Sequence, residues 1–410
     1  MKASITILPG GKVTMRLMHL STRLFAIIVL LGGCANAPAP APVAKTPLPL
    51  DVAVRNLTVD LFGQFRSLQP LTSRMSKQSF VVDPFIDANT AEVNETSRAI
   101  EQLLLKEVRD GFPDFAIESI TPTSLAVAQY VVNGTLRLDR GSGNKYYRLL
   151  SSVVDLKSGI VIANAEVWLA KEKLNYEPIA SYRDSPMYLK DKRDEGYVAT
   201  SQSRAGDVAD RRYMDSLLTS AELSEADKNF DGGDLKRALT LYQNAESRAD
   251  GKTMKTYSAL YQSYRKLGHA RESEDAFAKL VDVGLQTKNL STRFLFSVNS
   301  TDFVNDPSLR TQYSLWLRQI AKRVASAGVC LNIVGHSSRS GGERYNDQLS
   351  LQRALAVQKT MYKDFPQAPQ KTRAFGRGFK ENVIGSGSDD AQDAIDRRAE
   401  FQVVDCASLT

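Results

Sequence analysis

Five apolar side chains near the C-terminus recur at helical intervals: Leu309, Tyr313, Trp316, Ile320 and Val324 are spaced 4, 3, 4 and 4 apart. A stripe of that period belongs to a helix lying on a sheet. Pro307 suits the first turn of that helix and Gly328 its end. Residues 292–299 alternate in polarity and read as a strand; residues 329–334 read as a second, buried one. A second helix is expected over about 347–363, a strand around 373–378 and a last strand at 398–404. Residues 290–410 therefore predict an α+β sandwich.

The chain has 410 residues, enough for two or three domains at about 150 residues each. It is 42% hydrophobic and 24% charged, as expected of a chain that folds in water. The net charge of +7 is spread through every segment. Nucleic-acid binding needs a concentrated basic face, and none is visible. Three cysteines, Cys34, Cys330 and Cys406, have no zinc-type spacing. The three histidines are His19, in the leader segment, His269 and His336. So few leave little basis for a histidine metal centre or a Ser-His-Asp site.

Near the N-terminus, Arg16 and Arg23 precede the apolar run 24–31, which is followed by Gly32, Gly33 and Cys34. Charge, run length and small terminal residues mark a secretory leader, too short to span a bilayer. Residues 1–14 lack leader character, so Met15 or Met18 is an alternative start. Leu31-Gly32-Gly33-Cys34 resembles the lipobox of bacterial lipoproteins. The resemblance implies cleavage before Cys34 and acylation of that residue. Ala35, in place of an aspartate, implies the outer membrane. Several acyl chains would anchor the protein stably. Residues 35–50 are rich in Ala and Pro and read as an extended tether.

The rest is expected to be multidomain. Residues 51–200 read as an α/β domain, with a helix capped at Ser97 and an antiparallel meander over 130–138, 146–155 and 161–169. Turns are expected at 139–144 and 157–159. Residues 96–98, 130–135 and 154–159 resemble the flagellar-assembly lipoprotein family FlgO, which implies no catalysis. Residues 170–210 are polar and read as a loop or linker. In residues 211–286, the run starting at Gly233 recurs from Gly268, 35 residues on, pairing Ala238 with Tyr242 and Ser273 with Phe277. This resembles tetratricopeptide repeats. Tyr257, Tyr261 and Tyr264 fill the intervening helix, and His269 sits at a solvated turn. Two repeats are few for stability, so the short α-helical repeat domain is expected to pack on a neighbouring domain or a partner.

The C-terminal segment carries a denser pattern. Gly335, His336, Gly341, Tyr345, Asn346, Leu349, Ser350, Arg353, Ala354 and Val357 are followed by Gly376-Arg377-Gly378 and by 396–401, Asp-Arg-Arg-Ala-Glu-Phe. It resembles the OmpA-like peptidoglycan-binding family, as in Pal-type lipoproteins. The resemblance implies that the α+β sandwich binds the diaminopimelate end of a peptidoglycan stem peptide. Arg353 would clamp a carboxylate, for which a guanidinium fork is suited. Placed in the first turns of its helix, it would be helped by exposed N–H groups. The competing role for Arg353 is a structural salt bridge.

The family places an aspartate where this chain has Ser338, which cannot neutralise an ammonium group. Asn299, expected on the first strand, and Asn346 match further positions near the ligand. His336 reads as a structural strand-end residue, and Arg397 and Arg398 as fold-stabilising. In the family the strands bearing Cys330 and Cys406 lie side by side, which implies a Cys330–Cys406 disulfide in an oxidising envelope compartment.

The function expected is non-enzymatic: a tether between outer-membrane lipid, through Cys34, and the cell wall. The alternative is an assembly scaffold whose N-terminal and helical-repeat domains recruit an envelope protein partner. No cofactor is expected. The glycine-rich stretch 384–390 does not join a strand to a helix as a phosphate-binding loop must.

Overall fold

A computed structural model describes residues 46–68, 77–139, 146–170, 174–366, 368–382 and 396–409. Cys34, the leader, most of the tether, the turn at 140–144 and the glycine-rich stretch 384–390 lie outside these residues.

The first helix, α1 (Leu50–Leu68), buries Val54, Leu57, Leu61 and Phe65, spaced three or four apart. The expected tether ends earlier than residue 50. Leu48 bridges Leu169, and its N–H donates to the Trp168 carbonyl at 2.8 Å. There follow β1 (Gln78–Val82), β2 (Ile86–Asp87), α2 (Glu95–Gly111), β3 (Phe115–Ser119), α3 (Pro122–Val127), β4 (Tyr130–Asp139), β5 (Tyr146–Asp155) and β6 (Val161–Ala170). The cap of α2 is Asn94, not Ser97: the Asn94 side chain accepts from the Ser97 N–H at 2.8 Å.

The sheet runs β3-β1-β4-β5-β6, with β2 beside β4. The meander β4-β5-β6 is antiparallel, but β1 is parallel to both β3 and β4, so the sheet is mixed. Its two faces serve two cores. Val132 and Val153 face α1 and α2, while their neighbours Val131 and Val154 face the opposite way. That alternation is the period of two of a strand.

The expected linker over 170–210 is built structure. It contains α4 (Ala180–Arg183) and α5 (Lys192–Ser201), and it buries Tyr182, Met187, Leu189 and Tyr197. The Tyr197 hydroxyl accepts from Gly134 N–H at 2.9 Å, and Met187 bridges Thr292. After α6 (Arg211–Asp215) come four longer helices: α7 (Leu217–Asp231), α8 (Leu235–Ser247), α9 (Met254–Lys266) and α10 (Ala270–Gln286). Gly233 and Gly268 adopt the same left-handed conformation at their turns, φ 85° and 79°. A side chain there would be strained, which is why glycine recurs at these two points.

The C-terminal segment is β7 (Leu290–Leu295), α11 (Pro307–Ala327), β8 (Cys330–Gly335), α12 (Glu343–Asp364), β9 (Thr372–Gly376) and β10 (Arg398–Val404). Its sheet has the order β7-β10-β8-β9, with β10 antiparallel to both neighbours and β8 parallel to β9. Tyr313, Trp316, Ile320 and Val324 are buried on α11, and Asp306 caps its start. Cys330 and Cys406 form a disulfide, with Cα atoms 4.9 Å apart. The chain has left β10 by Cys406, which opens a short 3-10 turn.

Helices α9 and α10 pack on α11. The Phe277 and Trp316 rings stack with centroids 5.9 Å apart. One continuous cluster of buried side chains extends from Val81 through Tyr242 and Phe277 to Val403. The three segments thus share a core, and residues from Lys45 onward form one compact unit. No helix among the described residues is long and apolar enough to cross a membrane.

Candidate functional site

The site is set by how closely α12 approaches the sheet. A Cβ on Gly335 would stand 1.9 Å from the Ser350 carbonyl oxygen, and one on Gly376 would stand 2.7 Å from that of Asp347. Only glycine permits strands β8 and β9 to touch the helix there. Ser350 closes the joint: its hydroxyl donates to the Asp347 carbonyl at 2.9 Å and accepts from Gly378 N–H at 2.9 Å.

This contact places Arg353 under the loops at the end of the sheet. Arg353 is 1% exposed. Its Nε donates to the Ser300 carbonyl at 3.0 Å, Nη1 to that of His336 at 3.0 Å and Nη2 to that of Ser297 at 3.1 Å. The guanidinium also lies over the Phe296 ring, 5.3 Å from its centroid. A charged side chain is kept from water only with such partners. Arg353 therefore braces two loops, the one after β7 and the one after β8.

Two expectations change here. Helix α12 begins at Glu343, four residues before the expected start, so Arg353 sits in its third turn rather than its first turns. The free N–H groups of the helix start are out of its reach, because they belong to the first turn alone. Asn299 is not on the first strand, which ends at Leu295. It occupies an exposed turn at φ 51°, flanked by the two serines whose carbonyls Arg353 holds.

Ser338 is buried after β8, with its hydroxyl 3.4 Å from that of Ser340. The Asn346 side chain is also buried, and its Nδ2 donates to the Ser340 carbonyl at 2.7 Å. Arg353 thus ties together the loops bearing Asn299 and Ser338, and Asn346 fixes the second of them from the start of α12.

His336 is fully buried beneath this loop. Its Nε2 is 3.2 Å from Glu400 Oε1, and its backbone N–H donates to the Arg398 carbonyl at 2.8 Å. Arg398 Nε donates to the other oxygen of Glu400 at 3.0 Å. Burial alone would push the Glu400 carboxyl up, but the hydrogen bond from His336 and the Arg398 charge outweigh it and hold it at about 2. Sequence reasoning matched Glu400 without giving it a role. The Ser297 and Ser300 carbonyls were missed, because a backbone acceptor has no residue signature.

Among the described residues, His336, Glu381 and Glu400 form a group of metal-ligand type, with ligand atoms within 4.8 Å of one another. Arg398 and Arg377 already lie 3.0 and 3.6 Å from the two carboxylates. A cation placed there would face two guanidinium groups, so the donor set suits an ion-pair network better than a metal.

Residues 295–396 match the OmpA family. This part of the chain is an OmpA-like domain. It makes up about a quarter of the sequence, and the match says nothing of the segments before it. No curated protein was found to match the chain. Among solved structures, the chain is similar to the peptidoglycan-associated lipoprotein from Burkholderia pseudomallei, with 25% identity over 27% of this chain and 89% of that one, at a TM-score of 0.24. It is similar to the cell wall anchor of the T6SS from Pseudomonas aeruginosa, with 24% identity over 28% of this chain and 79% of that one, at a TM-score of 0.23. It is also similar to the C-terminal domain of MotB from Helicobacter pylori, with 17% identity over 27% of this chain and 83% of that one, at a TM-score of 0.23.

Proposed function

We propose that the chain is a non-enzymatic envelope lipoprotein that holds peptidoglycan non-covalently through its OmpA-like domain, with acylated Cys34 as its outer-membrane anchor. The observation that carries the wall-binding half is Arg353, the motif arginine of this OmpA-like domain, bound to the backbone of both loops that bear Asn299 and Ser338. Such a brace fixes the arrangement of two polar loops before any ligand arrives, which lowers the entropy cost of binding. A stem peptide ending in diaminopimelate offers carboxylates and an ammonium group to these loops, which the buried guanidinium holds in place. Ser338 and Asn299 supply hydrogen bonds to that ammonium but no charge, so the grip on it is weaker than an aspartate would give.

Co-sedimentation of the full chain with purified peptidoglycan tests this. The wild type is expected in the pellet. Arg353→Ala is expected to lose retention, and Ser338→Asp to be retained at lower protein concentration. Circular dichroism of Arg353→Ala separates lost binding from lost folding. A wild-type chain that stays in the supernatant at every concentration, while Ser338→Asp behaves identically, ends the proposal. The anchor has its own test: Cys34→Ser should release the protein from the membrane fraction.

A further inference from the structure

A second site lies away from Arg353, where the N-terminal sheet meets the open face of the C-terminal one. A cleft of about 970 Å³ is lined by Arg137 and Arg148 from β4 and β5, Lys190 and Lys288, and Arg398 and Glu400 from β10. The volume is at the upper end of the range for small-molecule sites, about 300–1,000 Å³. Its lining is mainly polar, unlike an apolar ligand pocket.

The register of the sheet makes the first pair unusual. Arg137 and Arg148 are direct cross-strand partners. Partners of this kind share a face with Cβ atoms about 4.5–5.5 Å apart, and like charges so placed repel. Glu166 neutralises Arg148, accepting from its Nε at 2.8 Å. Arg137 is half-buried and has no acidic partner among the described residues.

The acids of the cleft are already engaged. Glu400 is held by His336 and Arg398, Glu195 pairs with Lys192 at 3.0 Å, and Asp191 accepts from the first N–H groups of α5. Glu381 lies 3.6 Å from Arg377. On the opposite rim Lys288 is exposed, again without an acidic partner among the described residues. It adopts a left-handed backbone, φ 56°, at the end of α10. Glycine is preferred there, so a lysine side chain is retained at a conformational cost.

We propose that this cleft binds a small polyanion bearing phosphate or carboxylate groups. Arg137 and Arg148 together clamp one anionic group, and Lys288 supplies a further cation at the rim. Guanidinium forks suit both anions, and binding supplies the counter-charge that Arg137 lacks among the described residues.

The test measures the thermal unfolding midpoint of the full chain in pyrophosphate, in citrate and in sodium chloride at matched ionic strength. A saturable rise above the chloride control is expected with at least one polyanion. A rise with pyrophosphate alone assigns phosphate, and a rise with citrate alone assigns carboxylate. Arg137→Gln should weaken half-saturation by about tenfold, the loss of one charge-assisted contact. Its ligand-free midpoint should stay level or rise, because a like-charge pair is removed. Lys288→Gly should raise the ligand-free midpoint and also weaken half-saturation. Neither variant should alter retention on peptidoglycan, so this proposal and the wall-binding one fail separately. No rise above the chloride control, or unchanged half-saturation in Arg137→Gln, overturns it.

Discussion

The Trp316 indole Nε1 donates to the Tyr261 hydroxyl oxygen at 2.9 Å, across the joint between the helical segment and the OmpA-like domain. The same hydroxyl donates to Gln312 Oε1 at 2.9 Å. One phenol thus satisfies two buried polar groups on α11 and ties α9 to it.

Tyr261→Phe keeps the ring and removes both bonds. The buried indole N–H and amide oxygen are left without this partner, a penalty of about 1–3 kcal/mol. Urea denaturation should show the unfolding free energy falling by that amount, as a lower midpoint with no change in slope. An unchanged midpoint would mean that water replaces the hydroxyl.

Glu400 governs the acid limb of stability. Its folded pKa of about 2 lies below the 4.5 of an ordinary glutamate, so between those pH values the unfolded chain binds the extra proton. Its contribution is present in full above pH 4.5 and disappears as pH falls through 2. A shift of this size corresponds to about 3 kcal/mol. Denaturation curves from pH 7 to 2 should show that loss in the wild type and a flatter profile in Glu400→Gln.

Asp191 acts in the opposite sense. Burial, and then the charge of Asp194, raise its carboxyl to about 6 despite nearby Arg193. The folded state therefore takes up a proton first, so this group adds stability below pH 4 that is lost as pH rises through 6. Asp191→Asn keeps an oxygen to cap α5, a position where the two residues serve equally. It should stabilise the protein at pH 7 by about 1–3 kcal/mol and flatten the profile between pH 4 and 6.

The Cys330–Cys406 disulfide closes a loop over a sequence separation of 76. Chain-entropy arguments assign such a loop about 4 kcal/mol. Denaturation with and without reductant should differ by up to that amount. Intact mass after alkylation of the unreduced, unfolded protein should show neither cysteine modified; alkylation of both would remove the bond from the account.

The C-terminal domain was legible because its signals are local. The α11 stripe has one period, and the glycines at 335 and 376 stand where a helix must touch a strand. Less legible was what Arg353 touches, since its three acceptors are backbone carbonyls that any residue could supply. The segment over 170–210 was misread for a related reason. Tyr182, Met187, Leu189 and Tyr197 plug the core at irregular intervals from a polar stretch, and no period marks them. Strands β1 and β3 are five residues each, too short for alternation to separate them from the helices beside them. Trp316 shows the remaining limit: its place on the stripe was clear, but not that it faces Tyr261 and Phe277 as well as the sheet.

Because the buried cluster runs unbroken from Val81 to Val403, the described segments are packed as one body rather than as three joined by linkers. Calorimetry should record one endotherm in place of three. A fragment beginning at residue 290 would bare the flank of Trp316 to water and is expected to aggregate at lower concentration than the full chain. A load applied to the helical segment is therefore expected to reach the OmpA-like domain through packed side chains such as Phe277 and Trp316 rather than through a linker.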